Sequence, residues 1–215
     1  MSRLKSYIAE GEHQTQDFKF RVDDAKKIAR TLAAFANTDG GRLLIGVKDN
    51  KKVVGINPEE EFHLVQGAAA VYCKPEVQIE TEILNEKHKL VLVVNVLKSK
   101  EKIIKAKDEN DRWKVYVRRD DHTLLANKIL LGVWERKKIK KSIPQKFDES
   151  EKLVLDCIKE NQPITLSKIY RKTKLNKGYI DKLMILYVSW GIAEMDLSEK
   201  GSFFYISETT NDVKL

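Results

Sequence analysis

Three carboxylates near the start of the sequence have the chemistry to hold a divalent metal ion. Glu12 and Asp17 lie in the segment GEHQTQDFKF, and Asp49 follows the apolar run LLIGV. Carboxylate oxygens suit Mg²⁺ or Mn²⁺, and either ion can activate water against a phosphodiester. Spacing alone does not bring the three side chains together, so capping and surface positions are the simpler interpretation of this trio.

A second group of residues, near the other end of the chain, has the chemistry to bind nucleic acid. Residues 168–182 contain six lysines or arginines against a single acid, Asp181. Lysine suits phosphates and asparagine suits base edges. The nucleic-acid contacts predicted in this part of the chain are Lys172, Lys174, Asn176, Lys177, Tyr179, Lys182 and Lys200.

The elements around these cations predict a winged helix-turn-helix domain. Apolar residues at helical spacing predict three helices between 148 and 190, the first opened by the capping pattern Asp148-x-x-Glu151. Residues 192–195 and 203–206 follow as the strands of a hairpin. Helix-turn-helix plus hairpin is the winged-helix order, and the last helix of such a motif meets the major groove with its first residues.

The balance of charge leaves an alternative open for this domain. The chain of 215 residues has a net charge of +8, but residues 146–215 contain equal numbers of basic and acidic residues. The basic excess therefore lies in residues 1–145, where it invites a polyanionic partner. A winged helix used for dimerisation or protein contact is the alternative to one that binds DNA.

The first part of the chain predicts a mixed α+β domain of sheets and helices. Residues 23–37 have the apolar spacing of an amphipathic helix, which NTDGG ends. Short strands are predicted around 43–47, 53–56, 77–84, 89–97 and 113–118, and helices at 58–72 and from 123 to about 138. The predicted organisation is a sheet domain at 1–141, a linker at 142–147, a winged helix at 148–207 and a tail at 208–215.

Composition excludes several classes of protein. Two cysteines, Cys73 and Cys157, are too few for a disulfide framework or a four-ligand zinc site. No stretch approaches the roughly 18 apolar residues of a membrane helix, and the N-terminus lacks a signal-peptide core. We expect a soluble cytoplasmic protein with no membrane partner.

Three strings together resemble the Schlafen AlbA-type domain. They are residues 11–19, the block AAFANTDGGRLLIGVKDNKKVVGI at 33–56, and VYVRRDDHTLLA at 115–126. The resemblance extends over residues 5–135, and a winged helix is a common companion of this domain in bacterial proteins that regulate transcription. The family's ATP-binding label has no counterpart in the residues, because the chain lacks the phosphate-cradling string GxxxxGK(S/T).

The resemblance implies nucleic-acid binding, with Lys19, Arg118 and Arg119 as contacts in the first domain. Animal relatives contain a metal-dependent RNA-cutting site, whose acids correspond to Glu12, Asp17 and Asp49. The family usually has glutamate where this chain has Asp17. Animal nucleases also use two such lobes side by side, so a comparable cleft in this chain implies a homodimer.

Three functional hypotheses follow. The leading one is a non-enzymatic protein that binds DNA, or RNA, without a cofactor and regulates transcription. The second is a nuclease for structured RNA that uses Mg²⁺ or Mn²⁺ at the three acids. The third is a dimerisation or sensing module without affinity for nucleic acid.

Overall fold

The computed structural model describes residues 2–100, 102–136 and 147–208, and the chain divides into two units. The first unit is Met1–Leu125 and the second is Ala126–Leu215. Helices combined with several small sheets confirm the predicted α+β class. Within the described ranges, none of the helices has the length and apolarity needed to span a bilayer.

The first unit combines helices with two four-stranded sheets. Its elements are α1 (Arg3–Glu10), β1 (Gln16–Lys19), α2 (Ala25–Asn37), β2 (Gly41–Ile45), α3 (Pro58–Val71), β3 (Cys73–Lys74), β4 (Ile79–Glu86), β5 (Lys89–Val96), β6 (Lys105–Lys107), β7 (Trp113–Arg119) and β8 (His122–Leu125). One sheet has the strand order β1-β2-β5-β4 and the other β3-β6-β7-β8. Strands β1 and β2 are parallel, whereas the other pairs in these sheets are antiparallel.

Strand β2 is apolar throughout its second half because it is buried on both faces. Leu43 and Ile45 join the core that contains the buried side of α2, including Phe35. Leu44 points the other way, into a smaller core with Phe18 and the Leu4 side chain of α1. Successive side chains of a strand alternate between faces, so one short strand supports two cores.

The second unit is built from helices and one small sheet. Its elements are α4 (Lys128–Arg136), α5 (Glu149–Asn161), β9 (Ile164–Thr165), α6 (Leu166–Thr173), α7 (Lys177–Ser189), β10 (Ala193–Ser198) and β11 (Gly201–Ile206). Strands β10 and β11 form a hairpin, to which β9 adds a third strand. Helix α5 starts at the predicted capping box, in which Asp148 and Glu151 each bond the other's backbone.

Helix α4 belongs to the second unit and not to the first domain, in which the sequence prediction placed it. Its side chains Ile129 and Val133 are buried in the core of the second unit, and Gly132 packs against Ile185 of α7. The predicted helix from 123 also starts later, because His122–Leu125 pairs with β7 as strand β8. Residues 142–146 of the predicted linker, the basic residues 137–141 and residues 209–215 of the predicted tail lie outside the described residues.

Candidate nucleic-acid interface

Strands β1 and β7 contribute the two side chains of a buried ion pair. Nη2 of Arg118 donates to Oδ1 of Asp17 at 3.0 Å, and the two side chains are 2% and 6% exposed. The same guanidinium donates to the carbonyl oxygens of Gln16 and Asp120. A buried charge is tolerated when it is paired and hydrogen-bonded in this way. Arg118 is therefore a packing residue, and its burial corrects the prediction that it contacts nucleic acid.

Of the other two cations predicted as contacts in the first unit, one is bonded within the protein and the other is exposed. Nζ of Lys19 lies 2.6 Å from Oδ2 of Asp17 and donates to the carbonyl oxygen of Phe18 at 2.7 Å. Arg119, the neighbour of Arg118 on β7, is exposed. Arg119 is thus accessible at the surface, whereas the ammonium group of Lys19 is already bound to Asp17 and Phe18.

The three acids Glu12, Asp17 and Asp49 are not assembled as a metal site. Oε1 of Glu12 accepts a hydrogen bond from the backbone N–H of Phe18 at 3.0 Å, and Asp49 is exposed. Within the described residues, no group of three or more His, Cys, Asp or Glu side chains is arranged to hold a metal ion. The negative charges of Asp17 and Asp49 nevertheless act on Glu12. Burial raises the pKa of Glu12, and these two charges raise it further.

The segment NTDGG, which is prominent in the sequence, connects α2 with the second sheet. Nδ2 of Asn37 donates to the carbonyl oxygens of Ile104 and Tyr116 at 2.8 and 2.9 Å. Its Oδ1 accepts from the N–H of Ile104 at 2.8 Å. Oγ1 of Thr38 accepts from the N–H of Arg118 at 3.0 Å. These bonds hold β6 and β7 against the end of α2 and so fix the position of Arg118.

The two glycines of this segment are required by close packing. A Cβ on Gly41 would lie 2.6 Å from the Phe35 ring, and one on Gly40 would lie 2.8 Å from the carbonyl oxygen of Val96. Gly40 also has φ +74°, which favours glycine. The segment is therefore explained by folding, as its interpretation as a helix stop predicted.

The turn between α6 and α7 presents the first residues of α7 at the surface. Oδ1 of Asn176 accepts from the N–H groups of Gly178 and Tyr179, at 2.9 and 3.2 Å. This is an N-cap, which satisfies backbone donors that a helix start leaves unpaired. Lys174 reverses the chain at the end of α6 with φ 57°. The side chain of Asn176, which was predicted as a nucleic-acid contact, thus caps the helix through its oxygen.

The lysines predicted as contacts in this unit are all exposed. They are Lys172, Lys174, Lys177, Lys182 and, at the turn of the β10–β11 hairpin, Lys200. Helix α7 buries Ile180, Leu183, Met184 and Tyr187, which leaves Lys182 on its outer side. Tyr179 is half-buried, with its hydroxyl 3.5 Å from Oδ2 of Asp148.

The single acid among these cations is offset by a residue that sequence reasoning missed. Asp181 accepts a hydrogen bond from the Tyr170 hydroxyl and forms an ion pair with Lys128 of α4. The hydrogen bond to Asp181 raises the pKa of Lys128, and the one to Tyr170 adds to the rise. Nζ of Lys128 and Nζ of Lys177 lie 5.4 and 5.8 Å from the Tyr170 ring centroid. Lys128 therefore extends the basic surface at the start of α7.

The sequence of the first unit places the protein among known families. The sequence profile described as Schlafen, AlbA_2 matches residues 12–127. This chain belongs to the Schlafen AlbA_2 family. Membership indicates a nucleic-acid-binding function, and the match confirms the resemblance seen in the sequence. The profile ends two residues after Leu125, where the first unit ends, so α4 lies outside the Schlafen AlbA_2 domain.

Two solved structures are similar to parts of this chain at low sequence identity. The DIP2311 protein from Corynebacterium diphtheriae is 15% identical with a TM-score of 0.45, over 79% of this chain and 41% of that one. The N-terminal domain of an ATP-dependent DNA helicase RecG-related protein from Nitrosomonas europaea is 22% identical with a TM-score of 0.43, over 69% and 96%. This chain thus spans about two fifths of the DIP2311 chain.

Proposed function

We propose that this protein is a cytoplasmic, DNA-binding transcriptional regulator whose second unit is a winged helix-turn-helix domain. The order of α5, α6 and α7 followed by the β10–β11 hairpin supports this assignment, as does the third strand β9 beside the hairpin. In such a domain α7 is the helix that enters the major groove. Membership of the first unit in a nucleic-acid-binding family supports the proposal independently.

The observation that carries the proposal is the exposed basic surface at the start of α7. Lys177 and Lys182 are exposed there, and the neighbouring acid Asp181 is paired with Lys128. Lysines that neutralise phosphates release counterions, which supplies most of the sequence-independent affinity for DNA. A surface of this kind at the first turns of a recognition helix fits the phosphates that border the major groove.

The experiment measures binding of the full chain to a fluorescent random-sequence duplex by anisotropy, between about 50 and 200 mM salt. We expect log affinity to fall linearly with log salt. Replacing both lysines, as Lys177→Ala with Lys182→Ala, removes two phosphate contacts and should reduce the salt slope by about two. The matched control is Lys152→Ala with Lys159→Ala, which removes the same charge from exposed positions on α5.

Comparison with the control variant shows whether a loss of affinity for DNA is specific to α7. Equal losses in the two double variants would show that only net charge matters and would contradict α7 as the reading helix. Binding that neither variant changes would place the interface elsewhere. A chain without affinity for DNA or RNA would leave the dimerisation or sensing hypothesis.

We also propose a homodimer, because helix-turn-helix proteins commonly bind paired half-sites as dimers with two-fold symmetry. Sedimentation equilibrium of the free protein should then give twice the chain mass of 24.8 kDa. A monomer at all concentrations, with DNA binding retained, would contradict the dimer without affecting the assignment of α7.

The metal-dependent nuclease stays a prediction from the family resemblance. One observation favours it: Asp17 and Asp49 both contribute to the raised pKa of Glu12, as acids of a common site would. The residues as placed do not fit a divalent cation, because Arg118 and Lys19 occupy the carboxylate of Asp17. Incubation with tRNA and Mn²⁺ tests it: a nuclease should lose cleavage in Glu12→Gln, whereas cleavage that survives this change, or none in the natural protein, removes the hypothesis.

A further inference from the structure

One face of the sheet β3-β6-β7-β8 carries exposed charge that the functions proposed above do not use. Cys73 on β3 and Ala106 on β6 lie directly opposite each other, and both are buried in the core of the first unit. Side chains of a strand alternate between its two faces, so the neighbouring Lys74 and Lys105 point away from that core, and both are exposed. We call this side of the sheet its outer face.

Two lysines of the outer face lie side by side. Lys74 and Lys105 are directly opposite each other on β3 and β6, a position in which Cβ atoms are about 4.5–5.5 Å apart and like charges destabilise a sheet. Within the described residues, neither lysine forms an ion pair. Val115, the next side chain in this row, is buried, so the exposed pair is confined to β3 and β6. A phosphate group bound between the two ammonium groups would offset their repulsion.

The next row of the outer face places a lysine between two aromatic rings. Lys107 on β6 lies opposite Trp113 on β7, and its Nζ is 5.5 Å from the centroid of the Trp113 ring and 5.7 Å from that of Tyr72. The N–H of Lys107 donates to the carbonyl oxygen of Tyr72 at 3.0 Å, which fixes this arrangement. Nζ of Lys107 also lies 3.6 Å from Oδ1 of Asp111, so its charge already has a partner.

The Trp113 ring is 39% exposed, and it belongs to none of the three cores formed by the described residues. Exposed aromatic rings beside cations are what proteins use to stack unpaired bases and follow a phosphate backbone. Bases inside a duplex are already stacked on their neighbours, so a single strand is the form that offers this ring a free base. The two rows of the outer face are roughly 7 Å apart along the strands, so one nucleic-acid strand reaches both the ring and the lysine pair.

We propose that the outer face binds single-stranded nucleic acid, with one base stacked on Trp113 and a phosphate group at Lys74 and Lys105. Family membership indicates nucleic-acid binding, and the outer face specifies which form of nucleic acid the first unit takes and where. This site uses no residue of the second unit, so it goes beyond duplex binding by α7 and does not depend on it.

The stacking is measured through the fluorescence of Trp113, one of 3 tryptophans in the chain. The full chain is titrated with an oligothymidylate of about 12 nucleotides and with an oligouridylate of the same length. We expect the bound base to quench the tryptophan emission, and Trp113→Phe to bind with little or no quenching. Tighter binding of oligouridylate would assign the site to RNA, and tighter binding of oligothymidylate would assign it to DNA.

Anisotropy with the same oligonucleotides, labelled with a fluorophore, measures the affinity and its salt dependence. Trp113→Ala should weaken binding by about tenfold, as expected for one lost stacking contact, whereas Trp113→Phe keeps a ring and should lose less. Lys74→Ala with Lys105→Ala should reduce the slope of log affinity against log salt by about 1.4, the value for two phosphates of a single strand. The matched control, Lys52→Ala with Lys87→Ala, removes the same charge from exposed positions outside this sheet and should leave the slope unchanged.

The double variant Lys177→Ala with Lys182→Ala separates this site from the one on α7. It should bind both oligonucleotides as the natural protein does, whether or not its affinity for a duplex falls. Loss of oligonucleotide binding in this variant would place the single strand on α7 and overturn the proposal.

Four other results would also overturn it. Quenching that persists in Trp113→Phe would put the base at another tryptophan. Equal reductions of the salt slope in the two lysine pairs would show a response to net charge alone. Full affinity in both Trp113→Ala and Lys74→Ala with Lys105→Ala, at natural thermal stability, would place the ligand elsewhere. No binding of either oligonucleotide would leave the outer face without this ligand.

Discussion

Nη2 of Arg118 lies 3.0 Å from Oδ1 of Asp17 although 101 residues separate them in the chain. Asp17 belongs to the sheet β1-β2-β5-β4 and Arg118 to the sheet β3-β6-β7-β8. Their ion pair therefore connects the two sheets of the first unit. Both side chains are buried, so loss of Asp17 would leave the Arg118 charge without an acidic partner, and loss of Arg118 would leave Asp17 with Lys19 as its ionic partner.

The first prediction concerns the stability that this pair gives. Arg118→Ala should lower the free energy of unfolding by about 3–5 kcal/mol, because it breaks the buried ion pair with Asp17 and leaves the carbonyl oxygens of Gln16 and Asp120 without this donor. The adjacent Arg119→Ala removes the same side chain from an exposed position and should change the stability by about 0.5 kcal/mol or less. Urea denaturation of both variants measures the difference. Similar values for the two would mean that the pair does not stabilise the fold.

The second prediction concerns the pH dependence that Glu12 introduces. Its folded-state pKa is raised, mainly by burial, so the folded protein binds this proton more tightly than the unfolded chain does. The contribution to stability is therefore present below the unfolded pKa of about 4.3 and lost as pH rises through the folded pKa. Glu12→Gln removes the ionised form and should raise the melting temperature at neutral pH.

The difference between Glu12→Gln and the natural protein should shrink as pH falls below the usual glutamate range. Glu76→Gln, at an exposed position, is the control and should have little effect at either pH. Thermal unfolding followed by circular dichroism at several pH values provides the measurement. A Glu12→Gln variant that is less stable at neutral pH would show that the charged carboxylate is needed at the Phe18 N–H.

The third prediction compares two helical glycines. A Cβ at Gly132 on α4 would lie 2.4 Å from Cδ1 of Ile185, whereas one at Gly67 on α3 has no atom within 4 Å. Gly132→Ala should therefore destabilise the protein by about 1–3 kcal/mol through overpacking. Gly67→Ala should stabilise it by up to about 1 kcal/mol, since alanine favours the helix. Scanning calorimetry tests the opposite signs, and a neutral Gly132→Ala would mean that α4 packs loosely on α7.

The fourth prediction concerns the acid at the start of α7. Asp181→Asn removes a negative charge from the basic surface and releases Lys128 from its ion pair. Affinity for a random duplex should rise by about 1 kcal/mol or less, as expected for one charge near the surface. Asp156→Asn, at an exposed position on α5, is the control for net charge. Weaker binding by Asp181→Asn would show that the acid orders Lys128 and Tyr170 for contact.

Elements with strong local signals were predicted from sequence, and elements that depend on pairing were not. Helix α2 occupies Ala25–Asn37, close to the predicted 23–37, because its apolar spacing and its glycine stop are both local. Strand β1 was not predicted, since QDFK buries polar Gln16 and Asp17 instead of alternating apolar with polar residues. The predicted strand at 53–56 is reduced to a single bridge between Val47 and Val53.

The residues of the candidate sites also differ in whether the local sequence could predict their positions. Exposure of Lys177 and Lys182 follows from the apolar spacing of α7, so it could be predicted. The burial of Arg118 could not, because its neighbours in space come from β1, far away in the sequence. The pairing of Lys128 with Asp181 joins residues 53 positions apart, and no motif links them. Charged residues that are buried or paired through long-range contacts therefore cannot be predicted from the local sequence pattern.

The packing of α4 on α7 bears on how the two halves of this molecule can be separated. A C-terminal fragment that starts at residue 148, where sequence alone draws the border, would lose Ile129 and Val133 and bare the apolar side chains they cover. It would also lack Lys128, so under the proposed function its affinity for DNA should be lower than that of the intact chain. A C-terminal fragment that starts at residue 126 keeps Ile129 and Val133, which cover these apolar side chains, and also keeps the charge of Lys128.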